Sequence, residues 1–350
     1  MTEQGGRLLV TTMRNEGAFI PEWIAWHRRI GFTHFLVYTN DCEDGTDRIL
    51  DRLALAGLVT HRPNPPEGKK TIQWQALTRA RREPVLKAAE WIMVADVDEF
   101  LVIHAGTGRL DDLFAAAPEA GAFAVDWRMF GSAGRATYQP GLVSARFTRA
   151  APASLVWPWR AVQFKTLFRN ENLRQLGVHR PKYEQGAAPV WADGNGKRLR
   201  SPNGTVLTGA APRYGLAQIN HYALGSAEDF LVKADRGRPN RADLPIRLDY
   251  WLERNFDAVE DPSLARHAPA LAEDVAALLA ADPELAVLHA QAEEWRRRRI
   301  AELTGQLDPF YLYAALLSSG PTRVLPMADQ QALLRQLIGI NRRSMSSEAP

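Results

Sequence analysis

Cysteine is nearly absent from this sequence. Cys42 is the only one in 350 residues, which excludes an intrachain disulfide and a cysteine-based zinc cluster. No apolar run reaches the ~20 residues that a membrane-spanning helix needs, and Met1 to Gly6 is polar and short, so a cytoplasmic protein is expected. Charge of one sign is scarce as well. Lys and Arg number 43 against 40 acidic residues, a net +3 that does not demand nucleic acid. So slight a basic excess suits an anionic substrate or a loose peripheral contact with an acidic surface at the inner membrane face. No internal repeat shows, and the length admits one large domain or a catalytic domain with a helical appendage.

What the chain does have is an alternation of strand and helix patterns. Arg7 to Met13 reads as a strand, and Phe19, Ile20, Trp23, Ile24, His27 and Ile30 recur at helical spacing, with Pro21 near the start and Gly31 at the stop. His34 to Thr39 is a second strand, Thr46 to Gly57 a second helix with Thr46 as its N-cap, and Leu58 to His61 a third strand. A proline-rich loop, Pro63 to Gly68, leads to a long helix from Thr71 to Ala89, and Trp91 to Ala95 is the fourth strand. Three β-α-β crossovers of this kind make a doubly wound half-domain.

Beyond it the pattern changes. Leu110 to Ala117 reads as a short helix, Ala122 to Phe130 as a strand, and Gly141 to Phe168 as strand-rich, with Trp157 and Trp159 alternating around Pro158 to pack or to stack on a sugar. Residues 186–215 read as a long mobile loop, and Ala227 to Ile340 as mostly helical. Ser226 to Asp229 has capping-box spacing, and Arg296 to Arg299 after Glu293 and Glu294 reads as a solvated helix face. A boundary near residue 240 divides an α/β unit, 1–240, from a helical extension, 241–350.

The fourth strand runs straight into Asp96-Val97-Asp98. Carboxylates at i and i+2 past the end of an apolar strand can face one side and share a divalent cation, and open α/β sheets bind ligands at that edge. An ordinary acidic turn is the bland alternative. Glu99 likewise reads either as orienting these groups or as a turn acid facing solvent.

Met13-Arg14-Asn15-Glu16, Tyr38 to Asp41 leading to Asp44-Gly45-Thr46, Gln73, Trp91 through Phe100, Phe130-Gly131-Ser132, and Asn220-His221-Tyr222 with Ser226, Phe230 and Lys233 stand in one order over residues 8 to 237. In these pieces the chain resembles glycosyltransferase family 2-like proteins with the GT-A fold, in the branch related to the family 92 galactosyltransferases. The resemblance implies an α/β fold, a mixed Rossmann-like sheet followed by a C-terminal helical region. It implies an enzyme that moves a sugar, with inversion, from a nucleotide-diphosphate donor, UDP above others, to a carbohydrate or glycoconjugate acceptor, as in polysaccharide biosynthesis.

The same resemblance assigns residues. Asp98 would ligate Mn2+ or Mg2+, and Asp96 would reach the ribose or metal-bound water. His221, with His179 as its rival, would complete the metal site. Arg14, Asn15, Glu16, Asn40, Asp41, Asp44 and Gln73 would frame the nucleoside, and Lys70, beside Lys69, would meet a phosphate or remain a surface lysine. Asp193 and Glu228 are candidates for the base that takes the acceptor's proton. Two other classes stay open. One is an Asp-x-Asp phosphohydrolase, although phosphatases of the haloacid-dehalogenase type carry that motif on the first strand, with Thr or Val where this chain has Phe100. The other is a non-catalytic carbohydrate-binding protein on a transferase scaffold.

Overall fold

Strand β1 (Gly6–Met13) is buried along most of its length, as a central parallel strand covered on both faces must be. The computed structural model describes residues 5–68, 71–207, 209–237 and 245–347, with side chains through 340. Helix α1 (Ile20–Ile30) carries Pro21 in its first turn and ends on Gly31 at φ 114°, a left-handed stop that favours glycine. Strand β2 (His34–Thr39) and helix α2 (Thr46–Leu55) follow. Thr46 is the first helical residue and not the cap. Gly45, at φ 86°, holds the cap position, and the preceding Asp44 Oδ1 accepts the Thr46 N–H at 2.8 Å, while the Thr46 hydroxyl accepts the Glu16 N–H.

After β3 (Val59–Pro63), the expected long helix is two helices, α3 (Ile72–Ala80) and α4 (Pro84–Ala88). Pro84 cannot continue a helix from the preceding turn and begins a new one instead. Ala89 already belongs to β4 (Ala89–Val94). The acidic junction leads directly into β5 (Glu99–Ile103), all five of whose residues are buried, which corrects the reading of Glu99 as a solvent-facing turn acid. Helix α5 (Leu110–Ala116) and strand β6 (Ala122–Met129) complete this part.

The middle of the chain holds α6 (Val143–Arg146), β7 (Arg149–Ala150), β8 (Phe164–Arg169), β9 (Leu173–Gln175) and β10 (Lys182–Tyr183). Trp157 and Trp159 lie on no strand; the bond between Trp157 and Pro158 is cis, and a 3-10 turn starts at Trp159. The segment expected as one mobile loop contains β11 (Trp191–Asp193) and β12 (Arg198–Leu199). Strand β13 (Ala217–His221) leads into α7 (Ala227–Arg236), whose Ser226 and Asp229 form the capping box that the spacing predicted. The boundary near 240 falls in 238–244, outside the described residues. Beyond it come α8 (Leu248–Leu252), β14 (Val259–Glu260), α9 (Ala268–Ala280), α10 (Pro283–Thr304), α11 (Leu307–Ser318) and α12 (Met327–Ser347). Leu271, Leu285, Leu288 and Ala292 join the same apolar core as Leu9, Ile24 and Leu50, so these helices and the sheet share one packed interior.

Sheet order is β12-β11-β6-β8-β4-β1-β2-β3, with β13 pairing both β5 and β6. Strands β4, β1, β2 and β3 are parallel, whereas β8 is antiparallel to both β4 and β6. The chain moves outward from β1 to β3 and returns on the other side of β1 as β4. That reversal opens a crevice between the carboxyl ends of β1 and β4, where such sheets bind their ligands. Among the described residues no helix is long and apolar enough to cross a membrane.

Candidate functional site

The end of β1 and the end of β2 are tied into one rim. Asn15 and Asp41 both take positive φ, 53° and 47°, a conformation that Asn and Asp tolerate better than other non-glycine residues. Asn15 Oδ1 accepts the Glu43 N–H at 2.8 Å, and Arg14 Nε donates to the Asp41 carbonyl at 3.2 Å. Asn40 and Asp41 remain at the open lip, their side chains bonded to each other at 3.0 Å. Asp44 does not frame the cleft. It is buried, and its oxygens accept the Gly17 and Thr46 N–H groups, so it closes the loop.

The two aspartates of the junction have separate surroundings. Asp96 Oδ1 accepts from Gln73 Nε2 at 3.1 Å and Oδ2 from Lys165 Nζ at 3.1 Å. Lys165 is fully buried and also contacts Glu99 at 3.1 Å. Burial raises Glu99 to about 8, a shift that the Lys165 ammonium opposes. Asp98 faces the other way. Its Oδ2 takes Lys233 Nζ at 2.6 Å, and its Oδ1 stands 3.6 Å from His221 Nε2. Burial works to raise the Asp98 pKa, but Lys233 and His221 hold it well below the ordinary carboxylate range.

Strand pairing explains how a residue more than a hundred positions away reaches the junction. Strand β13 runs antiparallel to β5 with His221 opposite Glu99, and the Tyr222 N–H donates to the Asp98 carbonyl at 2.8 Å. His221 packs its ring 4.3 Å from that of Trp127, centre to centre. Burial lowers its pKa, while the neighbouring Asp98 opposes that shift. His179 sits on the other flank of Trp127 at 5.3 Å, with Nδ1 2.9 Å from the Phe164 carbonyl. Burial lowers His179 to about 4, and no ion pair joins it to Asp98 among the described residues.

Helix α7 supplies the cations that the sequence reading left aside. Lys233 also donates to the Ala223 carbonyl at 2.7 Å, and Arg236 pairs with Glu16 and donates to the Arg14 carbonyl at 3.1 Å. Arg296, expected on a solvated face, is buried. Its guanidinium reaches Asp229 Oδ1 at 2.7 Å from α10, while Arg297 does make the expected surface pairs with Glu293 and Glu294. Asn15, Glu16, Asp98, Tyr222, Lys233 and Arg236 thus line one cleft.

Each of the two base candidates has one carboxylate oxygen bonded to the backbone. Asp193 lies on β11, buried, with Oδ1 accepting the Asn195 and Lys197 N–H groups at 2.9 Å each. Glu228 accepts the Tyr138 N–H at 2.6 Å. Lys69 and Lys70 lie outside the described residues. Among the described residues, no group of three or more His, Cys, Asp or Glu could hold a metal ion. The protein therefore offers two facing donors, Asp98 Oδ1 and His221 Nε2. That set fits a hard divalent cation which completes its shell with phosphate oxygens and water.

A glycosyltransferase family 92 protein of Oryza sativa subsp. japonica is 29% identical over 128 residues, 36% of this chain and 21% of that protein. Another of Ricinus communis is 30% identical over 103 residues, 29% of this chain and 18% of that one. The matches therefore span about a fifth of the length of these curated relatives. Among solved structures, TarS of S. aureus aligns at 17% identity and a TM-score of 0.27, covering 38% of this chain and 23% of that one. The mannosyltransferase Ktr4p of S. cerevisiae aligns at 10% and 0.22, covering 38% and 41%. The family model for glycosyltransferase family 92 matches residues 10–191, just over half of the chain, and the protein belongs to that family.

Proposed function

We propose that the cleft at the β1/β4 crevice binds a nucleotide-diphosphate sugar, with UDP as the nucleotide, and that the enzyme transfers the sugar with inversion to a hydroxyl of a carbohydrate or glycoconjugate acceptor. The observation that carries this reading is Asp98 Oδ1 facing the buried His221 Nε2 at 3.6 Å, with Asp98 lining the same cleft as Asn15, Lys233 and Arg236. When bound between Asp98 and His221, Mn2+ or Mg2+ would act as a Lewis acid on the diphosphate leaving group.

The chain's own residues do the rest. Lys233 and Arg236 line the same cleft and can donate hydrogen bonds to a diphosphate, while their charge is already offset by Asp98 and Glu16. Asp96, with both oxygens already hydrogen-bonded, suits the ribose edge together with Gln73 better than it suits the cation. Arg14, Asn15 and Asp41 offer polar groups to the base. The phosphohydrolase alternative loses ground at the same point, because Asp96, the residue that would attack phosphorus, is held by Gln73 and Lys165.

The test is a thermal melt of the full chain with UDP, with and without Mn2+, followed by assay of UDP release from UDP-sugars. UDP should stabilise the protein only with the cation present. Equal stabilisation in excess chelator would remove the metal from the reading, and no binding of any nucleoside diphosphate would remove the transferase.

A further inference from the structure

Trp127 has a second role besides walling the histidines. It lines a separate cavity of about 300 Å³. Lys165, opposite Val125 in the β6/β8 ladder, pairs with Asp96 at the end of β4. Strand β6 therefore brings Asp126 and Trp127 to the same edge of the sheet as the acidic junction. Only β8 lies between β4 and β6 in the sheet, a separation of two strand spacings or roughly 10 Å.

This cavity has a built polar end. Asp126 is 6% exposed, and its Oδ2 takes Arg213 Nε at 2.7 Å while Oδ1 is buried with no hydrogen-bond partner among the described residues. Trp127 Nε1, also buried, has none either. A buried polar group left without a hydrogen bond is destabilising. A ligand hydroxyl would donate to the carboxylate oxygen, and a second polar group of the ligand would be needed to accept from the indole N–H, since neighbouring residues of a strand point to opposite faces.

Thr205, Arg213 and Tyr214 also line the cavity, and the rest of its walls are apolar or glycine. Gln330 of α12 is buried, and its Oε1 accepts the Val156 and Trp157 N–H groups at 3.0 and 3.2 Å, which pins the start of the helix. Leu334, Leu337 and Ile338 follow at i+4, i+7 and i+8, the spacing of one helical face, and all three line the cavity. Leu155 and Leu207 face them from the other segments. The helix thus presents its apolar stripe to a cavity whose opposite end carries an unpaired carboxylate oxygen.

We propose that this cavity holds the acceptor and that the acceptor is an amphiphile, with hydroxyls at Asp126 and Trp127 and an apolar portion along Leu155, Leu207 and the α12 stripe. The assignment of this ligand as acceptor rests on the transferase reading; the amphiphile site itself does not. Titrating the full chain with n-octyl β-glucoside below its micelle concentration, and with methyl β-glucoside, tests it through the fluorescence of Trp127 and Trp159. Octyl glucoside should saturate, with methyl glucoside at least tenfold weaker. Ile338→Glu, at a side chain 39% exposed and so tolerant of change, should weaken octyl glucoside at least tenfold and leave UDP binding unchanged. Leu337→Glu is the second variant, read in the same way. Equal affinity for the two glucosides, or octyl binding untouched by both variants, would overturn the proposal. UDP failing to bind while octyl glucoside saturates would remove the acceptor role together with the transferase reading and leave an amphiphile site.

Discussion

Replacing Asp98 by Asn removes one charge and little volume, and the structure separates its two consequences. Asp98 and Lys233 have side chains 23% and 16% exposed and sit 2.6 Å apart. Breaking a fully buried pair costs 3–5 kcal/mol. Partial solvent screening and the retained bond from Lys233 to the Ala223 carbonyl reduce this to about 1–3 kcal/mol. For a chain of this size that is a fall in Tm of roughly 2–6 °C. Ligand binding is read on top of that baseline. At a hundredfold excess over Kd, UDP with Mn2+ should stabilise the wild type by about 2.7 kcal/mol, and Asp98→Asn should lose nearly all of that increment. The double variant Asp98→Asn, Lys233→Met removes the stranded ammonium. It should recover most of the baseline Tm, because a buried pair replaced by neutral groups is often energetically neutral, yet it should not recover the cation-dependent shift. Differential scanning fluorimetry on the three proteins, with UDP, Mn2+ and chelator in turn, measures both effects. An unchanged Mn2+-dependent shift in folded Asp98→Asn would refute the assignment of Asp98 to the cation.

The histidines give a second comparison: His221→Ala should weaken Mn2+-dependent UDP binding at least tenfold, whereas His179→Ala should leave it within a few fold, and calorimetric titration ranks the two. A third expectation concerns pH. His27, fully buried, has Nδ1 2.9 Å from the Trp23 carbonyl and Nε2 accepting the Leu101 N–H, and burial lowers its pKa from 6.5 to about 3. The unfolded chain takes up a proton below about 6.5 that the folded chain refuses until about 3. This contribution to stability is therefore complete above 6.5 and lost as pH falls through that window, about 2 kcal/mol of it by pH 5. Urea melts at pH 7 and pH 5 should show this loss in the wild type and a shallower slope in His27→Leu.

The first half of the fold was legible because its signals are local. The period of α1, Pro21 at its start and Gly31 at its stop, and the apolar runs of β1, β2 and β4 all report on their own neighbourhood. The break between α3 and α4 was also written locally, in Pro84, and the helical period on either side hid it. Strand β5 was not legible as a sheet member, since its partner β13 lies more than a hundred residues on. Separation along the chain, 69 residues for Lys165 and Asp96 and far more for Arg236 and Glu16, hid these pairs as well. Arg296 is different, because a signal existed. Leu285, Leu288, Ala292, Arg296, Ile300 and Leu303 are the buried residues of α10, spaced three or four apart, and extending that stripe through the arginine places it inward.

Charge balance in the cleft explains why the proposed cation and the donor would enter together. Each of the four cations around the cleft already has a carboxylate: Lys233 with Asp98, Lys165 with Asp96, Arg236 with Glu16 and Arg296 with Asp229. Glu99, raised to about 8 by burial, adds little negative charge at neutral pH. A diphosphate arriving alone would find donors whose charge is spent, and a divalent cation arriving alone would find two protein ligands, one of them bound to an ammonium. Together they offset each other, because the diphosphate completes the cation's oxygen shell and the cation supplies the charge that the paired lysines and arginines cannot. Under the transferase reading the two ligands are therefore positively coupled, and by linkage each strengthens the other by the same factor. Removing the His221 imidazole should then reduce the coupling more than it reduces the weak binding of either ligand alone, which is what a two-donor site on the protein requires.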